Sequence, residues 1–219
     1  MPRLKNAIFD LDGTLIDSAP GILESFAAAL KQHGVAARVP IDATLIGPPL
    51  QETLVKLSGL DDPARLQLLA DAFKQRYDTE GVFATPAYPG VDALLGELRS
   101  AGVDIYLATN KRLIPTRLIV ERFPWAGHIK AIYTLDITPA RLADKANLLA
   151  HLLAEQQLSP GDSIYIGDRE EDGLAAERNG LPFYAVEWGY GDFPPATRRA
   201  DWNHAGSPEA LLAGLLGAA

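Results

Sequence analysis

The 219-residue sequence contains no cysteine. That absence excludes disulfides, thiolate zinc sites and every mechanism with a cysteine nucleophile. Positive charge is also scarce: 20 Lys and Arg face 28 Asp and Glu, for a net charge of −8. A nucleic-acid or anionic-membrane surface needs a basic patch, so neither partner is expected. Long hydrophobic runs are missing as well. No stretch approaches the ~18 apolar residues of a membrane span. The apolar run behind Arg3 and Lys5 is too short for a secretory h-region and ends in acids. A cytoplasmic protein is the expectation. There is no G-x-S-x-G elbow, no G-x-x-x-x-G-K-[ST] loop and no dinucleotide G-x-G-x-x-G after a strand. His33, His128, His151 and His204 show no metal-ligand spacing.

What is present is an ordinary globular composition, 47% hydrophobic and 22% charged. A short apolar run from Leu4 to Phe9 reads as a buried strand. From about residue 85 onward, helical periodicity alternates with apolar strands at 103–108, 131–135, 163–166 and 183–186. This rhythm predicts βαβ units and a parallel sheet with helices on both faces. Between residues 17 and 84 the pattern is helical throughout, with Ser18 a candidate cap for the first helix. The expected organisation is therefore a parallel α/β core from residues 1–16 and 85–219, interrupted by a helical subdomain at 17–84.

In an open parallel sheet, ligands bind beyond the carboxyl ends of the strands. Strand one runs into Asp10-Leu11-Asp12-Gly13-Thr14, the next into Thr109-Asn110, and a later one into Gly167-Asp168 with Asp172 four residues on; Lys145 opens a helix between them. Taken singly, each cluster has a plain reading as a helix cap, a turn or a solvated charge. Brought to one edge, Asp10, Asp12, Asp168 and Asp172 would repel by about 1–4 kcal/mol per pair. A hard divalent cation with oxygen ligands relieves this, and magnesium suits such a site. The aromatic group Phe183, Tyr184, Trp188, Tyr190 and Phe193 reads as packing for the last strand, with a rim of the site as its alternative.

The ordered set "DLDGT", "TN", a lysine and "GDREED" resembles the four motifs of the haloacid dehalogenase (HAD) superfamily, most closely its phosphoglycolate phosphatase-like branch. "GPPL" at 47–50, "TNK" at 109–111 and "WGYG" at 188–191 are similar to that branch too. The resemblance covers nearly the whole chain and identifies residues 17–84 as a helical cap, a lid that excludes water. Lys145 is followed by Ala146 rather than the family's frequent proline, and Lys111 is its competitor.

The resemblance implies Asp10 as a nucleophile forming an aspartyl-phosphate. It implies Asp12 as general acid and base, with Thr109, Asn110 and Lys145 binding the phosphoryl group. Mg2+ would be held by Asp10, Asp168, the backbone carbonyl of Asp12, and Asp172 in support. Residues i and i+2 of extended backbone share a side, so both Asp10 and Asp12 can face the reacting group. Thr14 is either a turn residue or part of the site. The implied activity is hydrolysis of a small phosphorylated metabolite, phosphoglycolate first, by a monomer or homodimer. Gly47–Leu50, Lys56 and Arg65 are candidates to read the organic part. A phosphosugar mutase shares the core motifs and stays open. A phospho-aspartate signalling module is disfavoured by motif order and length.

Overall fold

The structure, a computed structural model, describes residues 4–191, 193 and 199–217. The chain forms two compact units, Met1–Ile16 with Ala87–Ala219, and Asp17–Pro86.

The first unit is built on a six-stranded sheet, all parallel, in the order β3-β2-β1-β4-β5-β6. Its strands are β1 (Asn6–Phe9), β2 (Asp104–Thr109), β3 (Ile129–Thr134), β4 (Ser163–Gly167), β5 (Phe183–Val186) and β6 (Asn203–Ala205). Its helices are α4 (Val91–Ser100), α5 (Leu113–Val120), α6 (Lys145–Glu155), α7 (Glu170–Arg178) and α8 (Pro208–Leu216). Strand side chains alternate between faces. Ile8, Tyr106 and Tyr165 pack in one buried cluster with Leu148, Leu149 and Leu152 of α6 and Ala175 and Ala176 of α7. Alternate residues Ala7, Phe9, Ile105 and Leu107 are equally buried on the opposite face, where α4 contacts β2 and α8. β6 was not expected from sequence: "NHA" is too short and polar to carry a strand signal, yet it pairs in register with Tyr184–Val186.

The central register positions the site. Phe9 of β1 lies opposite Leu107 of β2 and Ile166 of β4. The residues that follow these three strands therefore emerge at one level of one edge.

The second unit contains α1 (Ala19–Gln32), α2 (Leu50–Ser58) and α3 (Pro63–Thr79). Phe73 of α3 stacks on Phe26 of α1 at 4.4 Å and on Tyr77 at 5.6 Å. Ser18 holds the N-cap position of α1, but its hydroxyl makes no capping bond because its backbone is already helical (φ −91°, ψ −3°). Asp17 Oδ1 accepts from the Ala19 N–H instead, at 3.2 Å. Lys56 and Arg65 both lie exposed on helix surfaces.

Leu149 is fully buried in the core cluster. Leu149→Ala should lower unfolding free energy by about 2–5 kcal/mol, measured by urea titration. A loss under about 1 kcal/mol would mean that this face of the sheet is not the core.

Candidate active site at the sheet edge

Asp10 leaves β1 with its N–H donating to the Ile166 carbonyl at 2.8 Å, which extends the ladder one residue past the strand. The chain then turns: Gly13 takes φ +83°, and Leu15 and Ile16 both donate to the Leu11 carbonyl. The carboxylate of Asp10 is buried, and Lys145 Nζ stands 3.2 Å from its Oδ1. Lys145 is the first residue of α6, held there by Asp144, which caps the helix by accepting the Asn147 N–H. Its ammonium also bonds Asp172 Oδ1. Asp172 lies in the first turn of α7 and accepts the Arg169 N–H on its other oxygen at 3.0 Å. Tyr165 donates to the Ala108 carbonyl behind this pair.

Asp168 is fully buried. Its Oδ2 accepts backbone N–H groups of Tyr190 at 2.8 Å and Gly191 at 3.3 Å, and the Thr14 hydroxyl reaches Oδ1 at 3.4 Å. Thr14 thus touches the site. One oxygen each of Asp10, Asp168 and Asp172 lies within 4.8 Å of the others.

The carboxylate of Asp12 stands outside that trio. It is gripped by Lys111, whose Nζ lies 2.8 and 2.9 Å from its two oxygens, and both side chains are largely buried. Neither lysine displaces the other: Lys145 serves Asp10 and Asp172, and Lys111 serves Asp12. The sequence places Lys111 beside the second motif but does not reveal its partner. Thr109, at the end of β2, accepts the Lys111 N–H at 3.3 Å. The Asn110 side chain turns aside to Glu171.

The aromatic group divides. Phe183 packs against Tyr165 and Trp202, and Phe193 against Trp202. Trp188 and Tyr190 belong to the site wall, because the Trp188 indole N–H donates to the Thr14 carbonyl at 3.0 Å and the Tyr190 N–H holds Asp168.

This geometry agrees with what the chain matches. The haloacid dehalogenase-like hydrolase family is matched over residues 7–186. The chain belongs to that family. Tyrosine-protein kinase PtkA of Mycobacterium tuberculosis is 35% identical, covering 93% of this chain and 70% of its own length. A 5'-nucleotidase of Pseudomonas aeruginosa is 35% identical over 86% of this chain and 85% of its own length. A phosphoglycolate phosphatase of Cereibacter sphaeroides is 34% identical over 87% and 88%. The solved structure of a predicted phosphatase from Clostridium acetobutylicum superposes with a TM-score of 0.87 at 27% identity, covering 98% of this chain and 99% of that one. The HAD resemblance read from the four motifs, phosphoglycolate phosphatase-like, therefore stands.

The charges of this HAD site do not balance within the protein. Burial pushes the Asp10 carboxyl up to about 8; Lys145 opposes the shift, and Asp172, Asp168 and Asp12 add to it. Burial, then repulsion from Asp172, raises Asp168 to about 6, although the Tyr190 N–H, Arg169 and Lys145 pull the other way. Burial disfavours the charge on Lys145, but Asp10 and Asp172 outweigh it and hold the ammonium firmly charged. Asp10 Oδ1, fully enclosed, accepts no hydrogen bond among the described residues. Three buried acids thus share one buried ammonium, while Arg169 approaches Asp168 only to 3.9 Å. A hard dication fits this donor set.

The sign of the pH dependence follows. Asp10 has a folded value near 8 against an ordinary 3.8, so the metal-free protein loses stability as pH rises between those limits. A cation needs the deprotonated carboxylate. The gain in melting temperature on adding millimolar MgCl2 should therefore be larger at pH 8 than at pH 5. A gain that is absent, or largest at pH 5, would contradict the charge deficit.

Proposed function

We propose that this HAD hydrolase is a magnesium-dependent phosphatase of a small phosphomonoester, with phosphoglycolate the leading candidate, and that it works through an aspartyl-phosphate on Asp10. The observation that carries the reading is the separation of the two motif-one acids. Asp10 lies buried against Lys145, while Asp12 has a cation of its own in Lys111. Two carboxylates set in different environments can take different chemical roles.

Asp10 supplies the nucleophilic oxygen, which forms a bond to phosphorus as the ester P–O bond breaks. Asp12, which takes up a proton from solvent as the anionic substrate draws Lys111 away, gives that proton to the departing alkoxide. Asp12 then takes a proton from water, whose oxygen displaces Asp10 from phosphorus, releasing inorganic phosphate and restoring both carboxyl groups. Thr109 accepts the Lys111 N–H, which leaves its own O–H to donate to a phosphoryl oxygen. Lys145 places positive charge beside the attacking oxygen. Asn110, its side chain engaged by Glu171, contributes through its backbone N–H. Asp10, Asp168 and the Asp12 backbone carbonyl would hold magnesium, with Asp172 acting in support through Lys145. Bound there, the cation neutralises phosphoryl charge. The unit Asp17–Pro86 is the cap in this reading, with Gly47–Leu50, Lys56 and Arg65 candidates for selecting the organic group.

A second substrate class is favoured by the 35% identical relative named 5'-nucleotidase: a nucleoside monophosphate is the same phosphomonoester chemistry on a larger leaving group. Release of inorganic phosphate from phosphoglycolate, a 5'-nucleotide and a hexose phosphate separates these readings. Isomerisation of the hexose phosphate without net phosphate release would show a mutase.

Asp10→Asn should abolish turnover, by at least about 10³-fold, while circular dichroism stays unchanged. A folded variant with near-normal turnover would rule out Asp10 as nucleophile. Asp12→Asn should slow alkyl phosphates by about 10²–10⁴-fold but p-nitrophenyl phosphate far less, because an activated phenolate needs no proton. Equal slowing of both would contradict the acid role.

A further inference from the structure

Asp168 is held from three sides by backbone. Its Oδ2 accepts the N–H groups of Tyr190 and Gly191, successive residues of one loop. That loop approaches so closely that a Cβ on Gly191 would lie 1.6 Å from the Asp168 carbonyl oxygen. A Cβ on Gly189 would lie 2.2 Å from the Gly13 carbonyl oxygen and 2.5 Å from the Asp168 Cβ. Gly13, on the motif-one loop, closes the other side, where a Cβ would meet Asp168 Oδ2 at 2.2 Å. Only glycine permits such an approach. At the start of the loop, the Trp188 indole N–H donates to the carbonyl of Thr14, whose hydroxyl reaches Asp168 Oδ1.

We propose that Trp188–Gly191 is a strap that fixes the orientation of the Asp168 carboxylate for the divalent cation, with Trp188 as the positioning residue that anchors it to the motif-one loop. The strap occupies Oδ2 with two N–H donors and so leaves Oδ1, which the Thr14 hydroxyl reaches at 3.4 Å, as the oxygen for the cation. It also ties Asp168 to the loop that carries Asp10 and Asp12, so the carboxylates from two separate strands are held as one unit. Loss of a group that orients a metal-ligating side chain typically costs about 10- to 100-fold in affinity. The inference rests on the magnesium reading above.

The test is isothermal titration of the full chain with MgCl2 at fixed pH and ionic strength. Trp188→Phe removes the indole N–H and keeps an apolar ring. Its magnesium Kd should weaken by roughly 10- to 100-fold, with a cooperative melt retained in EDTA. An unchanged Kd in the folded variant would overturn the strap. A measurement on the wild type needs no variant to fold: the amide resonances of Tyr190 and Gly191 should shift along the same magnesium titration. Resonances that stay fixed while magnesium binds would overturn the proposal. Wild-type protein that binds no magnesium would instead remove the cofactor reading beneath it.

Discussion

The structure turns on one electrostatic constraint: three carboxylates are buried at a single sheet edge with one buried ammonium among them. Burial disfavours the charged form of a carboxylate, and each additional acid deepens the effect. The protein relieves only part of this internally. Lys145 is held between Asp10 and Asp172, and the strap amides offset part of the charge on Asp168. What remains suits a dication, which in the proposed function also meets the charge of the phosphoryl group. A site short of positive charge in isolation is one that binding can complete, and in the proposed function the acids that create the shortage are also the groups that carry the chemistry.

The fold achieves this through register. Parallel pairing of β1 with both β2 and β4 brings Asp10, Thr109 and Asp168 to the same edge from positions far apart in the chain. Helix N-termini supply the rest: Lys145 opens α6 and Asp172 sits in the first turn of α7. Each of these two residues is fixed locally by a cap and then meets the other across the site. The core beneath, with Ile8, Tyr106 and Tyr165 packed on α6 and α7, converts hydrophobic burial into positional precision at the edge.

Much of this was legible in the sequence because it is written in periodicity and ordered polar clusters. Alternating helical and apolar segments give a parallel sheet, and strand ends then point to Asp10, Thr109 and Asp168 before any contact is known. β6 escaped because three residues, two of them polar, pair only through a neighbour already in place. Ser18 has the residue type of a cap, but its helical backbone keeps the hydroxyl from the role. The partnership of Lys111 with Asp12 depends on β1 lying beside β2, which no local window contains. The strap acts on Asp168 through main-chain N–H groups, which carry no residue identity. Its one readable trace is the run of glycines in "WGYG" after a strand at the functional edge.

The charge shortage is tested most directly by counting cations. Manganese, a spectroscopically visible substitute for magnesium, can be titrated into the metal-free protein and its unbound fraction read by electron paramagnetic resonance. The account predicts a single saturable tight site per chain, lost when Asp168 is replaced in Asp168→Asn. A protein with no saturable site, or a variant that binds manganese as tightly as the original, would contradict it.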